Sequence, residues 1–296
     1  MIIEHPRILK TETVLANSAP IYIAAPRSKH GQQVAKRIRA ALQNKGIQSE
    51  ILPDPAGEFL TTANGPTIVV GNLADSHCIQ TLYYRFLCAT DLWYPGPGGY
   101  ELRTLCDPLG SGHNIILIGY SDAEGAQEGC DVFISQLGHS IPHLKTLKVT
   151  RLPLSDDETK TFRTEPLPDV AWQVANTTLG DSKGYLYYLT GEPEVGEAYR
   201  KSWQALIACG YEKNDKLVQT HLYSLTRILP WRLVEDMDLF STEERLAITQ
   251  FIYGWAESEE GWQYVAQCQR GQSPHVPRQN HELIPALSLT VAADYF

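Results

Sequence analysis

A chain of 296 residues is long enough for two ordinary domains, each burying its own core. With 43% hydrophobic and 20% charged residues it has a globular composition, and no apolar run nears the roughly 20 residues of a membrane-spanning helix. The net charge of -9 argues against a nucleic-acid binder, which presents a basic face, but leaves room for an acidic ligand held by a few well-placed groups.

Met1-Ile-Ile-Glu-His-Pro-Arg7 lacks the basic flank and apolar core of a signal peptide. Pro20 to Pro26 is a short apolar run that predicts a buried strand, followed by a helix over 31–45 with Val34, Ile38, Ala41 and Leu42 on one face and Gly46 ending it. Ile47 to Leu52 and Thr67 to Asn72 predict further strands, and Asp75 to Leu87 a helix capped by Asp75 or Ala74. Tyr100 to Leu105 alternates like a half-buried strand, Asn114 to Gly119 is a continuous apolar strand, and Ala123 to Leu137 is the helix after it. Strands alternating with helices predict an α/β domain over 1–151, mainly parallel, with room for an antiparallel pair at 100–119.

Leu152 to Pro168 is polar and proline-bearing and reads as a linker. Over 169–296 the strand signals vanish, and 181–190, 193–208, 215–229, 242–257, 259–268 and 281–296 all read as helices. Helix after helix with short connections predicts an all-α segment built as a bundle, solenoid or α/α barrel. The final apolar face (Leu283, Leu287, Val291, Tyr295) stops with no cap or polar tail, so further chain is expected beyond it.

Six scattered cysteines (Cys78, Cys88, Cys106, Cys130, Cys209, Cys268) form no CxxC pair and read as buried thiols, so no metal site is expected. Pro26-Arg-Ser-Lys-His-Gly31 and Gly119-Tyr-Ser-Asp-Ala-Glu-Gly125 lack the glycine spacing of phosphate loops and read as ordinary helix-starting turns, the second capped by Ser121 or Asp122. No cofactor is implied. Trp93-Tyr-Pro-Gly-Pro-Gly-Gly99 sets two aromatics beside a turn, either to stack on a sugar ring or to plug an interface.

His221, Tyr223, Arg227 and Trp231 gather within one stretch and read as substrate-binding, with Tyr223, Arg227 and Trp231 on a shared helix face and Pro230 a source of kinking. Glu235, Asp236 and Asp238 follow, then a capping box at Ser241-Thr-Glu-Glu244. Gln279-Asn-His-Glu282 opens the last helix. Asn280 is either its N-cap or, with His281, a pair suited to a uronic acid: the amide bonds the carboxylate and the imidazole takes the adjacent proton.

Arg278 to Leu289, followed by Ala292-Ala-Asp-Tyr-Phe296, resembles the Asn-His helix of heparinase II/III-like and alginate-lyase proteins, polysaccharide lyases with an α/α toroid. Tyr188 to Glu192, Trp231 to Glu235 and Phe240 to Leu246 are similar to toroid helices of that group. Gly99 to Arg103, Asn114 to Gly119 and Gly125 to Leu137 are similar to the small α/β domain preceding the catalytic domain of hexosaminidases and α-glucuronidases. The resemblance implies an α/β domain followed by a partial α/α toroid, and β-elimination on a uronate-containing polysaccharide or oligosaccharide. Asn280 would then neutralise the carboxylate and His281 would act as base, in a protein that is secreted or periplasmic at full length. The catalytic acid Tyr matches no motif here, Tyr223 and Tyr253 being poor substitutes. Two other classes stay open: a glycoside hydrolase using Glu235, Asp236 or Asp238, and a non-catalytic carbohydrate-binding or scaffold fragment.

Overall fold

Two apolar runs, Thr67–Gly71 and Ile115–Tyr120, are buried along their whole length and form the centre of a six-stranded sheet. The computed structural model describes residues 12–15, 20–152, 155–157, 160, 178–209, 220–257 and 280–296, with side chains in the helical stretches described for 183–208, 227–257 and 286–296. The chain divides at Ser155 into an α/β unit and a helical unit. No helix among the described residues is long and apolar enough to cross a membrane.

In chain order the α/β unit runs β1 (Glu12–Val14), β2 (Ile21–Ala25), α1 (Lys29–Asn44), β3 (Ser49–Pro53), α2 (Phe59–Thr62), β4 (Thr67–Gly71), α3 (His77–Tyr84), β5 (Tyr100–Leu105), β6 (Ile115–Tyr120), α4 (Ala123–Ser135), β7 (Ser140–Pro142) and β8 (Lys145–Lys148). The sheet order is β3-β2-β4-β6-β5-β8; the first four strands are parallel, and β5 runs antiparallel to β6 and β8. One face packs Val34, Ile38, Leu42 and Phe133 of α1 and α4 on Ile21, Ile23, Ile68 and Ile118. The other packs Leu60, Ile79 and Leu82 of α2 and α3 on Val69 and Leu117. Each such apolar side chain contributes about 1.5–3 kcal/mol by leaving water.

Two expectations are corrected here. β5 is fully buried, because its alternation marks an ion pair and not a wet face: Glu101 meets Arg103 at 3.5 Å and accepts from Thr90 Oγ1 at 2.9 Å. The cap of α3 is Ser76, whose hydroxyl accepts from Ile79 N; Asp75 accepts instead from Asn72 N at 2.8 Å. Strands β1, β7 and β8 and the short α2 carried no sequence signal.

The helical unit comprises α5 (Thr178–Thr190), α6 (Pro193–Cys209), α7 (Thr220–Val234), α8 (Thr242–Glu257) and α9 (Asn280–Tyr295). Most of the expected linker and the whole of the expected helix 259–268 lie outside the described residues. Helix α7 continues through Pro230 to Val234, past the expected end at 229. Pro230 packs beside Gly184 of α5, where an added Cβ would fall 2.9 Å from Pro230 and 2.7 Å from the Tyr199 ring, so glycine lets three helices close on one point. The packing is layered: α5 touches α7 and α7 touches α9, while α6 touches α8, with α5 on α6 and α8 on α9 joining the rows.

Candidate functional site

The C-terminal ends of α7 and α9 meet in a buried polar knot. Trp231 Nε1 donates to Tyr295 Oη at 3.1 Å, and Tyr295 Oη donates to Glu235 Oε1 at 2.8 Å. Thr249 Oγ1 of α8 lies 3.3 Å from the same hydroxyl, and Arg232 Nη1 pairs with Asp294 at 2.8 Å. Rings of Trp203 and Phe240 pack edge-on against Trp231, which is 0% exposed. The reading of Trp231 as a saccharide platform is corrected accordingly: its indole is enclosed by aromatic packing. Arg227 is likewise buried at 5% exposure, and Glu235 at 2% is bonded within the helix packing.

Helices that pack along their length and share their C-terminal ends run parallel, and α7 with α9 is the most extensive helix pair of the unit. The first residues of α7 include His221 and Tyr223, and those of α9 are Asn280 and His281. Asn280 is the first residue of α9 among the described residues. The side chains of these four lie outside the described residues.

In the α/β unit, ligands of open parallel sheets bind beyond the strand carboxyl ends, where the strand order reverses. Here that point lies between β2 and β4. The end of α1 is closed by its own cap, Ser28 Oγ accepting from Gly31 N at 3.4 Å. Asp54 closes α3: its Oδ1 accepts from His77 N at 3.0 Å, and its Oδ2 meets His77 Nδ1 at 2.9 Å and Arg27 Nε at 3.3 Å. Asp122 caps α4, accepting from Gly125 N at 3.0 Å, and also accepts from Gly98 N at 2.9 Å. Burial opposes its ionisation, but these amides, with Glu124 N and the charge of His30, hold its carboxyl below the ordinary value. All three turns are filled by side chains of the chain itself, as helix-starting turns are.

The Trp93 loop resolves into two fates. Tyr94 is buried, whereas Trp93 is 67% exposed with the Arg151 guanidinium 4.7 Å from its ring centroid. Arg151 carried no sequence signal, because a chain separation of more than fifty residues closes here through backbone bonds. No protein-family model matches the chain, and no curated protein or solved structure matches it either.

Proposed function

We propose that the helical unit is part of an α/α toroid that binds a uronate-containing polysaccharide and cleaves it by β-elimination. What supports the reading is the close packing of α7 on α9, the two helices that carry His221 and Tyr223 and Asn280 and His281. Helices that touch in two rows, as these do, are also what a toroid requires.

The chemistry follows from the acidity of the reacting centre. A C5 proton beside a carboxylate anion is weakly acidic, since its removal would place a second negative charge on the same group. An amide on the carboxylate stabilises the developing enolate, and an imidazole titrating near neutrality accepts the proton. Asn280 has the first role and His281 the second; the C5–H electrons become the C4–C5 double bond as the C4–O bond breaks, and the departing oxygen takes a proton from the imidazolium or from water. The test is the ultraviolet absorbance of the unsaturated uronate formed when the purified chain meets alginate, polygalacturonate or heparan sulfate. Asn280→Ala is expected to lower that rate by about two orders of magnitude, the scale of a lost oxyanion donor, with the melting temperature unchanged. No absorbance on any uronate polymer, or an Asn280→Ala variant that melts lower and turns over normally, refutes the assignment.

A further inference from the structure

We infer that Trp93 and Arg151 form a binding subsite for an anionic sugar ring on the α/β unit. An indole that is 67% exposed is usually a mobile side chain, but this one stands on a loop tied at every step. Asp91 Oδ1 accepts from Trp93 N at 2.6 Å and Tyr94 N at 2.8 Å. Tyr94 anchors the loop inward. Gly96 N donates to Ser121 Oγ at 2.9 Å, and Gly98 N to Asp122 Oδ2.

The partner is held as firmly. Thr150 N and Arg151 N both donate to Pro95 O, at 2.8 and 3.1 Å, and Thr150 Oγ1 donates to Pro97 O at 2.8 Å. A Cβ on Gly96 would lie 2.7 Å from Arg151 Cβ, and the φ of +103° there suits glycine alone, so this close approach sets the guanidinium over the indole. The result is an indole with the cation over one face and the rest of the ring open to solvent, with Leu92 exposed beside it.

Each part matches one feature of a uronate. The apolar C–H face of a pyranose stacks on an indole, and a guanidinium takes a carboxylate in a two-pronged bond. Among the described residues no carboxylate pairs with the Arg151 guanidinium, so that capacity is unspent. Basic and acidic residues nearly balance over 7–155, and the acidic excess of the chain falls on the rest, so no net charge of this unit repels an anion. The choice of a uronate over another acidic sugar rests on the proposed reaction; the platform itself uses none of the residues assigned to cleavage.

The experiment is calorimetric titration of the full chain with short alginate oligosaccharides and with neutral cello-oligosaccharides, the double-bond absorbance being recorded in the same samples. Trp93→Ala is expected to weaken alginate binding about tenfold, the order of one lost stacked ring. Arg151→Gln is expected to weaken alginate binding similarly while leaving any binding of the neutral sugar unchanged. Absence of alginate binding by the unmodified chain overturns the inference, as does an affinity unchanged in both variants. So does self-association that Trp93→Ala abolishes without any effect on saccharide. Binding that depends on both residues without any absorbance leaves this subsite standing and removes the lyase reading; turnover with unchanged binding does the reverse.

Discussion

Asp122 joins the two devices that shape the α/β unit's upper loops, and its removal tests that account quantitatively. One carboxylate oxygen caps α4 through Gly125 N, and the other holds the buried Gly98 N of the tryptophan loop. Asp122→Ala deletes the cap, which costs about 1 kcal/mol. It also strands a buried amide, which costs about 1–3 kcal/mol. The expected loss is therefore about 2–4 kcal/mol, a large share of the roughly 5–15 kcal/mol that holds a domain folded. Asp122→Asn keeps one acceptor and loses the charge, so its loss is about 1 kcal/mol.

The pH dependence has a definite sign. The folded carboxyl is held below its ordinary value, so its contribution is complete above the unfolded aspartate pKa of about 4 and is lost as pH falls through the folded value. The gap between the unmodified chain and Asp122→Asn should therefore narrow below pH ~4. Trp93 is the only tryptophan of the six within 7–155, so whole-chain emission follows the helical unit. Hydrogen exchange of β4 and β6 peptides in urea isolates the α/β unit. A loss under about 0.5 kcal/mol for Asp122→Ala, or a gap that widens toward acid, refutes the reasoning.

In the helical unit, Tyr295→Phe leaves Trp231 Nε1 without its acceptor and takes one donor from Glu235, and should cost about 2–3 kcal/mol. Trp203, Trp231 and Trp255 report that transition in emission, while β4 and β6 exchange stays unchanged. Cys78 is pushed up to about 12 by burial and then by the charge of Asp54, and burial raises Cys130 to about 11. Both should resist iodoacetamide at pH 8 in the native state and react on unfolding, as peptide mass mapping would record.

The central strands were legible because a strand covered on both faces must be apolar throughout, as Thr67–Gly71 and Ile115–Tyr120 are. Tyr100–Leu105 misled because the polar members of its alternation, Glu101 and Arg103, bond each other in the interior; alternation records which face is polar, not which is wet. Three-residue strands such as Glu12–Val14 exist only through a partner far along the chain, Ser140–Pro142, and no local pattern encodes that. Caps depend on competition. Asp75 is a good cap by type, yet its carboxylate is taken by Asn72 N and Ser76 fills the place. The same non-locality hid the subsite: Trp93 was visible as an aromatic in a turn, but Arg151 comes to it through the backbone of Pro95. Trp231 and Glu235 were visible as chemically capable groups, and only packing reveals that they bond inward to Tyr295.

Parallel neighbouring helices carry an electrostatic cost that the helical unit handles differently at its two ends. Each helix has roughly half a positive charge at its N-terminus and half a negative charge at its C-terminus, so side-by-side parallel helices set like ends together. At the C-terminal end Arg232, in the last turn of α7, supplies a cation, and its bond to Asp294 ties the two helices there. At the N-terminal end, α7 opens with no acidic residue and α9 contributes Glu282. The knot of Trp231, Tyr295 and Glu235 fixes one end of the pair. Under the proposed reaction a substrate carboxylate at the first turn of α9 would meet the positive end of that helix dipole, and His281 would remove the neighbouring proton.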